Sequence, residues 1–187
     1  MDFFEKIKNK KVLALDVSLN NTGYVLEQSL EKYQSGVIKF IFPRQIQKKA
    51  KIIKKRIFLL NNFFDWCIIE NYGYSPQSSS MTKLGEITGL IKYFLWMLNK
   101  PILLVAPTML KKFITGKGNA KKDIVIKEVF KQYNFDTNDN NQADAFGLFV
   151  IGKMLARRPI GKILKRHLEI CNQIKKTAEE KHMIIME

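Results

Sequence analysis

The stretch Lys11–Ser18, KVLALDVS, predicts a strand buried in the core, because it is an apolar run containing β-branched residues. Asp16 interrupts this run. Burying a carboxylate among apolar side chains is costly unless the carboxylate is paired with a cation or binds a metal. The stretch therefore predicts both the first strand of the fold and a candidate functional acid.

The segments around this stretch predict a mixed sheet with helices on its faces. After a turn at residues 20–23, Tyr24–Glu27 and Gly36–Phe42 complete a predicted antiparallel meander, and Trp66–Glu70 and Pro101–Val105 are two later apolar strands. Spacing and composition predict helices over Arg44–Asn61, Met81–Leu98, Thr108–Ile114, Lys121–Tyr133, Asn141–Leu155 and the basic segment Arg157–Lys181. Because helices separate the later strands, we assign the chain to the α/β class.

The charge of the chain favours a polyanionic partner. Thirty-two Lys and Arg residues stand against seventeen Asp and Glu, which gives a formal net charge of +15. A basic surface for a ribosome or a membrane is the alternative, and charge alone says nothing about catalysis. Residues 1–11 lack the features of a secretory signal, and no apolar run approaches the roughly 20 residues of a membrane span. We therefore expect a cytoplasmic protein, in a bacterial or virus-infected cell.

Cysteine and histidine are too scarce for a disulfide framework or a zinc site. The chain has two cysteines, Cys67 and Cys171, and two histidines, His167 and His182. A bound metal would therefore have oxygen ligands, which favours Mg²⁺, with Mn²⁺ as the alternative.

Two further acids stand in settings similar to that of Asp16. Glu70 ends the apolar strand WCIIE, and Asp144 lies among small and apolar residues near the start of a helix. Each acid alone is typical of a turn residue, but three of them without an adjacent basic partner indicate a shared site. Hydrolysis of a phosphodiester by two metal ions uses several carboxylates that converge on ions about 4 Å apart. The three acids therefore predict a metal-dependent hydrolytic centre.

Five segments resemble the RuvC family of Holliday junction resolvases, in the order of that family. They are LALDVSLNNTGY at 13–24, IIENYGY at 68–74, TKLGEITGLIKYFL at 82–95, APTMLKKFITGKGNAKKDIV at 106–125 and NQADAFGL at 141–148. The resemblance covers residues 11–155. It implies an RNase H-like mixed five-stranded sheet flanked by helices, a nuclease domain over residues 1–156, and a basic helical C-terminal extension over residues 157–187.

The resemblance also implies roles for individual acids. Asp16, Glu70 and Asp144 correspond to metal ligands and catalytic residues of the family. The family has a fourth ligand, Asp or His, three residues before the last Asp, where this chain has Asn141. We take Asn141 as the positional equivalent and Asp139 as the supplier of the missing charge, with Asp136 as a more remote option.

The resemblance assigns basic and aromatic residues to DNA. Lys122 corresponds to a catalytic residue nearest the scissile phosphate. The residues predicted to face DNA are Lys111, Lys112, Lys117, Lys121, Tyr72 and Tyr74. The tyrosines flank the position where the family carries an aromatic wedge, and stacking on a base is worth about 1–3 kcal/mol. The alternatives are solvated helix faces for the lysines and packing beneath the loop for Tyr72.

The function implied is paired nicking of four-way junctions by a homodimer formed through the Met81–Leu98 helix. Gly85 and Gly89, four residues apart in that helix, indicate close approach of a partner backbone or close packing within one chain. One alternative is a debranching nuclease that also cuts forks and flaps. The other is a junction-binding module without catalysis, which Asn141 favours and the three intact acids oppose.

Overall fold

The computed structural model describes residues 2–40, 45–71 and 79–186. The helices are α1 (Phe3–Lys6), α2 (Ile46–Leu60), α3 (Ser79–Met97), α4 (Pro107–Thr115), α5 (Lys122–Tyr133), α6 (Asn140–Leu155) and α7 (Lys165–Glu180). The strands are β1 (Val12–Val17), β2 (Asn21–Glu27), β3 (Tyr33–Lys39), β4 (Trp66–Glu70), β5 (Ile102–Val105) and β6 (Ile184–Ile185). Within this part of the chain no helix is both long and apolar enough to cross a lipid bilayer.

The strands form one mixed sheet in the order β3-β2-β1-β4-β5-β6. The first three strands are antiparallel, β4 and β5 continue parallel to β1, and β6 pairs antiparallel with β5. The predicted α/β class and mixed sheet are confirmed. The predicted number of five strands was wrong by one, because β6 has two residues and such a short segment carries no periodic pattern.

The antiparallel part of the sheet starts earlier in sequence than predicted. Strand β2 begins at Asn21 rather than Tyr24, and β3 begins at Tyr33 rather than Gly36. A hairpin turn at residues 28–32 joins them. The predicted end of the third strand, Phe42, and the predicted start of the following helix, Arg44, lie outside the described residues.

Helices cover both faces of β1, which explains why all six of its residues are buried. Helix α6 packs across β1 and β2 on one face. On the other face, Ile53 and Ile57 of α2 line a small gap together with Leu13 and Leu15 of β1. Since side chains alternate along a strand, Asp16 lies on the face opposite Leu15, towards α6.

A buried ion pair joins α6 to β2. Lys153 Nζ lies 2.6 Å from Glu27 Oε1, and both side chains are fully buried. Arg158 lies 3.0 Å from the same carboxylate, and the Val12 amide donates to its second oxygen at 3.2 Å. The Glu27 carboxylate is therefore compensated from three directions, as a buried charge requires.

Helix α7 is part of the same core. Its residues Ile170, Cys171, Ile174 and Ala178 are buried in the cluster that includes the sheet. The basic C-terminal segment thus contains the predicted helix, although that helix begins at Lys165 rather than Arg157.

His167 of α7 is buried in this packing. It is 2% exposed and stacks on the ring of Phe113, with ring centres 4.3 Å apart. Its Nδ1 accepts a hydrogen bond from the Leu164 amide at 3.4 Å. Burial, reinforced by the charge of Arg166, lowers the pKa of His167 to about 4. The folded state therefore holds a neutral imidazole at pH values where the unfolded chain protonates it.

We predict that His167→Gln removes part of the acid sensitivity of folding. The histidine of the unfolded chain binds its proton near pH 6.5 and that of the folded chain near pH 4. The contribution of the neutral imidazole to the free energy of unfolding is therefore complete above pH 6.5 and is lost as the pH drops from 6.5 towards 4. Between pH 7.5 and 5 the wild type should lose about 2 kcal/mol more than the variant. Gln at the third helical position retains a capping acceptor.

Urea unfolding at several pH values measures this difference. The difference in the free energy of unfolding between each variant and the wild type, taken at each pH, cancels the contribution of the carboxyl groups to the pH dependence. The matched control is His182→Asn, which changes an exposed histidine and should follow the wild type. Parallel pH profiles for wild type and His167→Gln would contradict the prediction.

Candidate active site

The two parallel strands β1 and β4 bring Asp16 and Glu70 to the same edge of the sheet. Leu15 is paired with Ile69 in the parallel register, so the residues that follow them, Asp16 and Glu70, come side by side. Both lie at or next to the carboxyl ends of their strands. This is the edge at which open α/β sheets bind ligands.

The third acid arrives on α6, and a glycine lets that helix approach. Gly23 of β2 is the register partner of Asp16. A Cβ atom at Gly23 would lie within 3.0 Å of the carbonyl oxygen of Asn141, closer than real Cβ atoms come. The first turn of α6 therefore rests on bare backbone beside Asp16. Asp144 lies one turn further along this helix.

Burial and mutual repulsion perturb the first two carboxyls. The pKa of Asp16 is raised well above its usual value, mainly by burial and then by the charges of Glu70 and Asp144. The pKa of Glu70 is raised to about 7, again mainly by burial, followed by the charge of Asp144. The interaction between the two carboxyls raises the pKa of Asp16 and lowers that of Glu70.

The pKa of Asp144 is shifted by its burial and, in the opposite direction, by two lysines. Burial raises the pKa of Asp144 to about 6, while the charges of Lys122 and Lys111 act in the opposite direction. The same two lysines lower the pKa of Glu70. The structure therefore brings five of the sequence-predicted residues into one electrostatic neighbourhood: Asp16, Glu70, Asp144, Lys111 and Lys122.

A structured loop connects the two lysines. Lys111 lies on α4, and Lys122 is the first residue of α5. Thr115 Oγ1 donates to the Lys111 carbonyl at 2.8 Å and accepts from the Lys117 amide at 3.1 Å. Gly116 ends α4 with φ = 82°, a left-handed conformation that suits glycine. Local hydrogen bonds thus fix the path from Lys111 towards Lys122.

The other predicted DNA-facing residues are less closely tied to the carboxyls. Lys112, Lys117 and Lys121 are exposed on the same segment. None of the three is among the groups that shift the pKa values of the described carboxyls. Tyr72 and Tyr74 lie outside the described residues.

Asp139 acts as the N-cap of α6. Its Oδ1 accepts a hydrogen bond from the Gln142 amide at 3.0 Å. Asn141 is half-buried in the first turn, and Asp136 is exposed. The assignment of Asn141 and Asp139 as fourth metal ligands stays a prediction.

Two basic residues that the sequence analysis did not identify donate hydrogen bonds to backbone carbonyls near the site. Arg166 of α7 donates to the carbonyls of Phe113 and Ile114, at 3.1 and 3.0 Å, and so caps the end of α4. Lys49 of α2 is buried and donates to the Leu19 carbonyl in the turn after β1. In a chain with 32 basic residues, no local pattern distinguishes these two.

The donor set suits a hard divalent cation. Buried carboxylates that repel one another gain from a cation that takes oxygen ligands. Across residues 2–40, 45–71 and 79–186, no three His, Cys, Asp or Glu side chains are drawn together as tightly as a finished metal centre requires. Burial raises the pKa values of Asp16, Glu70 and Asp144, and repulsion by neighbouring carboxyls adds to this for Asp16 and Glu70, so their ionised forms are costly without a cation. The oxygen donors of these residues therefore fit a hard divalent cation.

Comparison with known proteins supplies the family. RuvC from Rickettsia typhi, a crossover junction endodeoxyribonuclease, is 30% identical over 146 residues, which cover 73% of this chain and 92% of that protein. Its counterpart from Campylobacter concisus is 29% identical over 121 residues, covering 62% and 76%. The structure of Thermus thermophilus RuvC in complex with a Holliday junction substrate superposes with a TM-score of 0.63 at 18% identity, over 80% of this chain and 95% of that one.

No protein-family profile matches the chain. The likeness to Thermus thermophilus RuvC establishes the fold, and the likeness to the Rickettsia protein extends over nearly all of that relative. The chain belongs to the RuvC family of crossover junction endodeoxyribonucleases.

Proposed function

We propose that this protein resolves four-way DNA junctions by metal-dependent hydrolysis of phosphodiester bonds. The observation that carries the proposal is the convergence of Asp16, Glu70 and Asp144 with Lys111 and Lys122 at the carboxyl edge of the sheet. Carboxylates alone would repel a phosphate. Lysines beside carboxylates suit a site that binds both a cation and a DNA backbone.

The three carboxyls would hold Mg²⁺, with Mn²⁺ as the alternative ion. A divalent ion supplies charge neutralisation at the phosphate and lowers the pKa of an attacking water. Because the pKa values of Asp16 and Glu70 are raised, protons compete with the ion for these carboxyls, so affinity for the ion rises with pH. Lys122, and behind it Lys111, would orient the scissile phosphate and offset its charge.

The proposed assembly is a homodimer through α3. Tyr93, Trp96 and Met97 are exposed on this helix, and a Cβ at Gly89 would meet nothing within 4 Å in the described chain. Their spacing of four, three and one residues places them on one side of the helix. Exposed apolar patches of this kind mark interaction surfaces. A twofold dimer suits a four-way junction because paired cuts are themselves related by a twofold axis.

Mapping nicks on a four-way junction tests the activity. Each strand is end-labelled in turn and incubated with the purified protein and Mg²⁺. Resolution gives symmetric nicks in two opposing strands. Equal cutting of forks and flaps would instead identify a broader debranching nuclease. Binding without nicks, with Mn²⁺ as well, would identify a junction-binding module.

In the same assay, Asp16→Asn should abolish cutting, with a loss of at least 1000-fold, and leave junction binding within about threefold. Since Asn removes a buried, repelled charge, the variant should also melt at a higher temperature than the wild type in metal-free buffer at pH 8. Glu179→Gln, the same carboxyl-to-amide change at an exposed residue of α7, is the control and should behave as the wild type. Retained cutting by Asp16→Asn would reject this site.

A second prediction concerns the glycine beneath α6. Gly23→Ala should lower the cleavage rate by about 100-fold or more, because the new methyl group displaces the first turn of α6 and with it Asp144. It should also destabilise the fold by about 1–3 kcal/mol. Rates are compared at a temperature where circular dichroism shows the variant to be folded.

Gly36→Ala is the matched control, since it makes the same change in the neighbouring strand. Its Cβ would meet the side chain of Tyr24, which can rotate, rather than helical backbone. This variant should keep a cleavage rate within about threefold of the wild type. Similar losses in both variants would mean that Gly23 has no special part in placing the site.

A third prediction tests the dimer. Trp96→Glu puts a charge in the proposed interface and should raise the dimer dissociation constant at least 100-fold in analytical ultracentrifugation. The monomer should cut one strand of a junction at a time, without the paired cut in the opposing strand. Phe130→Glu, an exposed aromatic residue on α5, is the control. An unchanged sedimentation profile for Trp96→Glu would remove α3 from the interface.

A further inference from the structure

A cavity of about 1300 Å³ opens at the end of the sheet opposite the three carboxyls. We name it the basal pocket and define it by Lys32, Lys131, Leu30, Tyr33 and Tyr133, which line it. Its wall also includes Lys11, which immediately precedes β1. Asp16 lies five residues along that strand, about 17 Å away. The pocket and the carboxyl site are therefore separate places on the molecule.

The floor of the basal pocket is aromatic. Phe146 and Phe149 of α6 are buried there, and the ring of Tyr33 packs against them at centre distances of 5.4 and 5.5 Å. Leu30 stands in the wall and is 57% exposed. Phe146 and Phe149 are already covered, so the apolar surface open to an occupant is that of Leu30 and the half-buried Tyr33, and an apolar side chain that covers it gains free energy.

The rim of the basal pocket is cationic. Its basic residues are Lys10, Lys11, Lys32, Lys131, Arg157 and Arg158, against the acidic residues Glu31 and Asp65. Arg157 and Arg158 form ion pairs with Glu5 and Glu27, and Lys32 and Lys131 are exposed at the mouth. An occupant that matches this rim carries negative charge.

We propose that the basal pocket binds an acidic peptide segment of a partner protein, with an apolar side chain of that segment on the aromatic floor. Duplex DNA presents phosphates on its outside and would leave the floor uncovered. A mononucleotide would fill a small part of a cavity larger than ordinary small-molecule pockets of about 300–1000 Å³. An extended acidic peptide supplies carboxylates for the rim and an apolar anchor for Leu30 and Tyr33.

A defined set of synthetic peptides tests the proposal. Fluorescein-labelled twelve-residue peptides of Asp, Glu, Gly and Ser, each with one Leu, Phe or Trp, are titrated with the full chain in 150 mM salt. Fluorescence anisotropy should show at least one member binding with a dissociation constant of roughly 1–100 µM. The same peptide with Ser in place of its apolar residue should bind at least tenfold more weakly.

Variants of the pocket locate the binding. Leu30→Ser and the double variant Lys32→Glu, Lys131→Glu should each weaken binding at least tenfold. Lys127→Glu with Lys181→Glu makes the same charge change on exposed residues outside the pocket, and should cost less than threefold. All of these variants should still nick junctions, which separates failure of this proposal from failure of the proposed resolvase activity.

Three results would overturn the proposal: no peptide binds, the Ser peptide binds as well as its apolar parent, or Leu30→Ser leaves binding unchanged. Displacement of the peptide by single-stranded oligo-dT, with oligo-dT affinity lost in Leu30→Ser, would assign the pocket to nucleic acid instead.

Discussion

The position of helix α6 on strands β1 and β2 is the constraint on which the rest of this structure depends. At one end, Gly23 lets the backbone of Asn141 rest directly on β2. At the other end, the buried pair of Glu27 and Lys153 fixes the rotation and register of the helix. Breaking such a pair typically costs about 3–5 kcal/mol, although the intact pair adds little net stability. The pair thus specifies position, and the position of α6 determines where Asp144 stands.

The carboxyl site opposes folding, and the surrounding core compensates. Burial and mutual repulsion raise the pKa values of Asp16, Glu70 and Asp144, which means that their ionised forms are costly in the folded chain. Lys111 and Lys122 offset part of this cost. Rigid strand ends and a pinned helix hold the acids against their repulsion. The same repulsion gives the site its affinity for a divalent cation, so instability and function have one electrostatic origin.

Local patterns in the sequence predicted most of this arrangement, and long-range contacts account for the remainder. The strand Trp66–Glu70 has its predicted bounds, because an apolar run with a terminal acid is a local signal. The pairing of Glu27 with Lys153 spans 126 residues, and Arg166 reaches the end of α4 across 52 or 53, so neither leaves a periodic trace. Asp139 shows a different limit: an acid just before a helix suits both a metal ligand and an N-cap, and the sequence does not distinguish them. The structure shows the N-cap hydrogen bond, and the metal role stays a prediction.

At the two ends of α6 and β1 the protein would bind two anionic partners, DNA and an acidic peptide, whose affinities depend differently on salt. Phosphates at the carboxyl edge would be held by charge, and such contacts weaken steeply as salt rises. The basal pocket adds the aromatic floor around Phe146 to its cationic rim, and burial of apolar surface is nearly indifferent to salt. A chain with a net charge of +15 attracts every polyanion, so charge alone cannot separate the two. The apolar contribution is therefore what would reserve the basal pocket for a peptide while DNA occupies the opposite edge of the sheet.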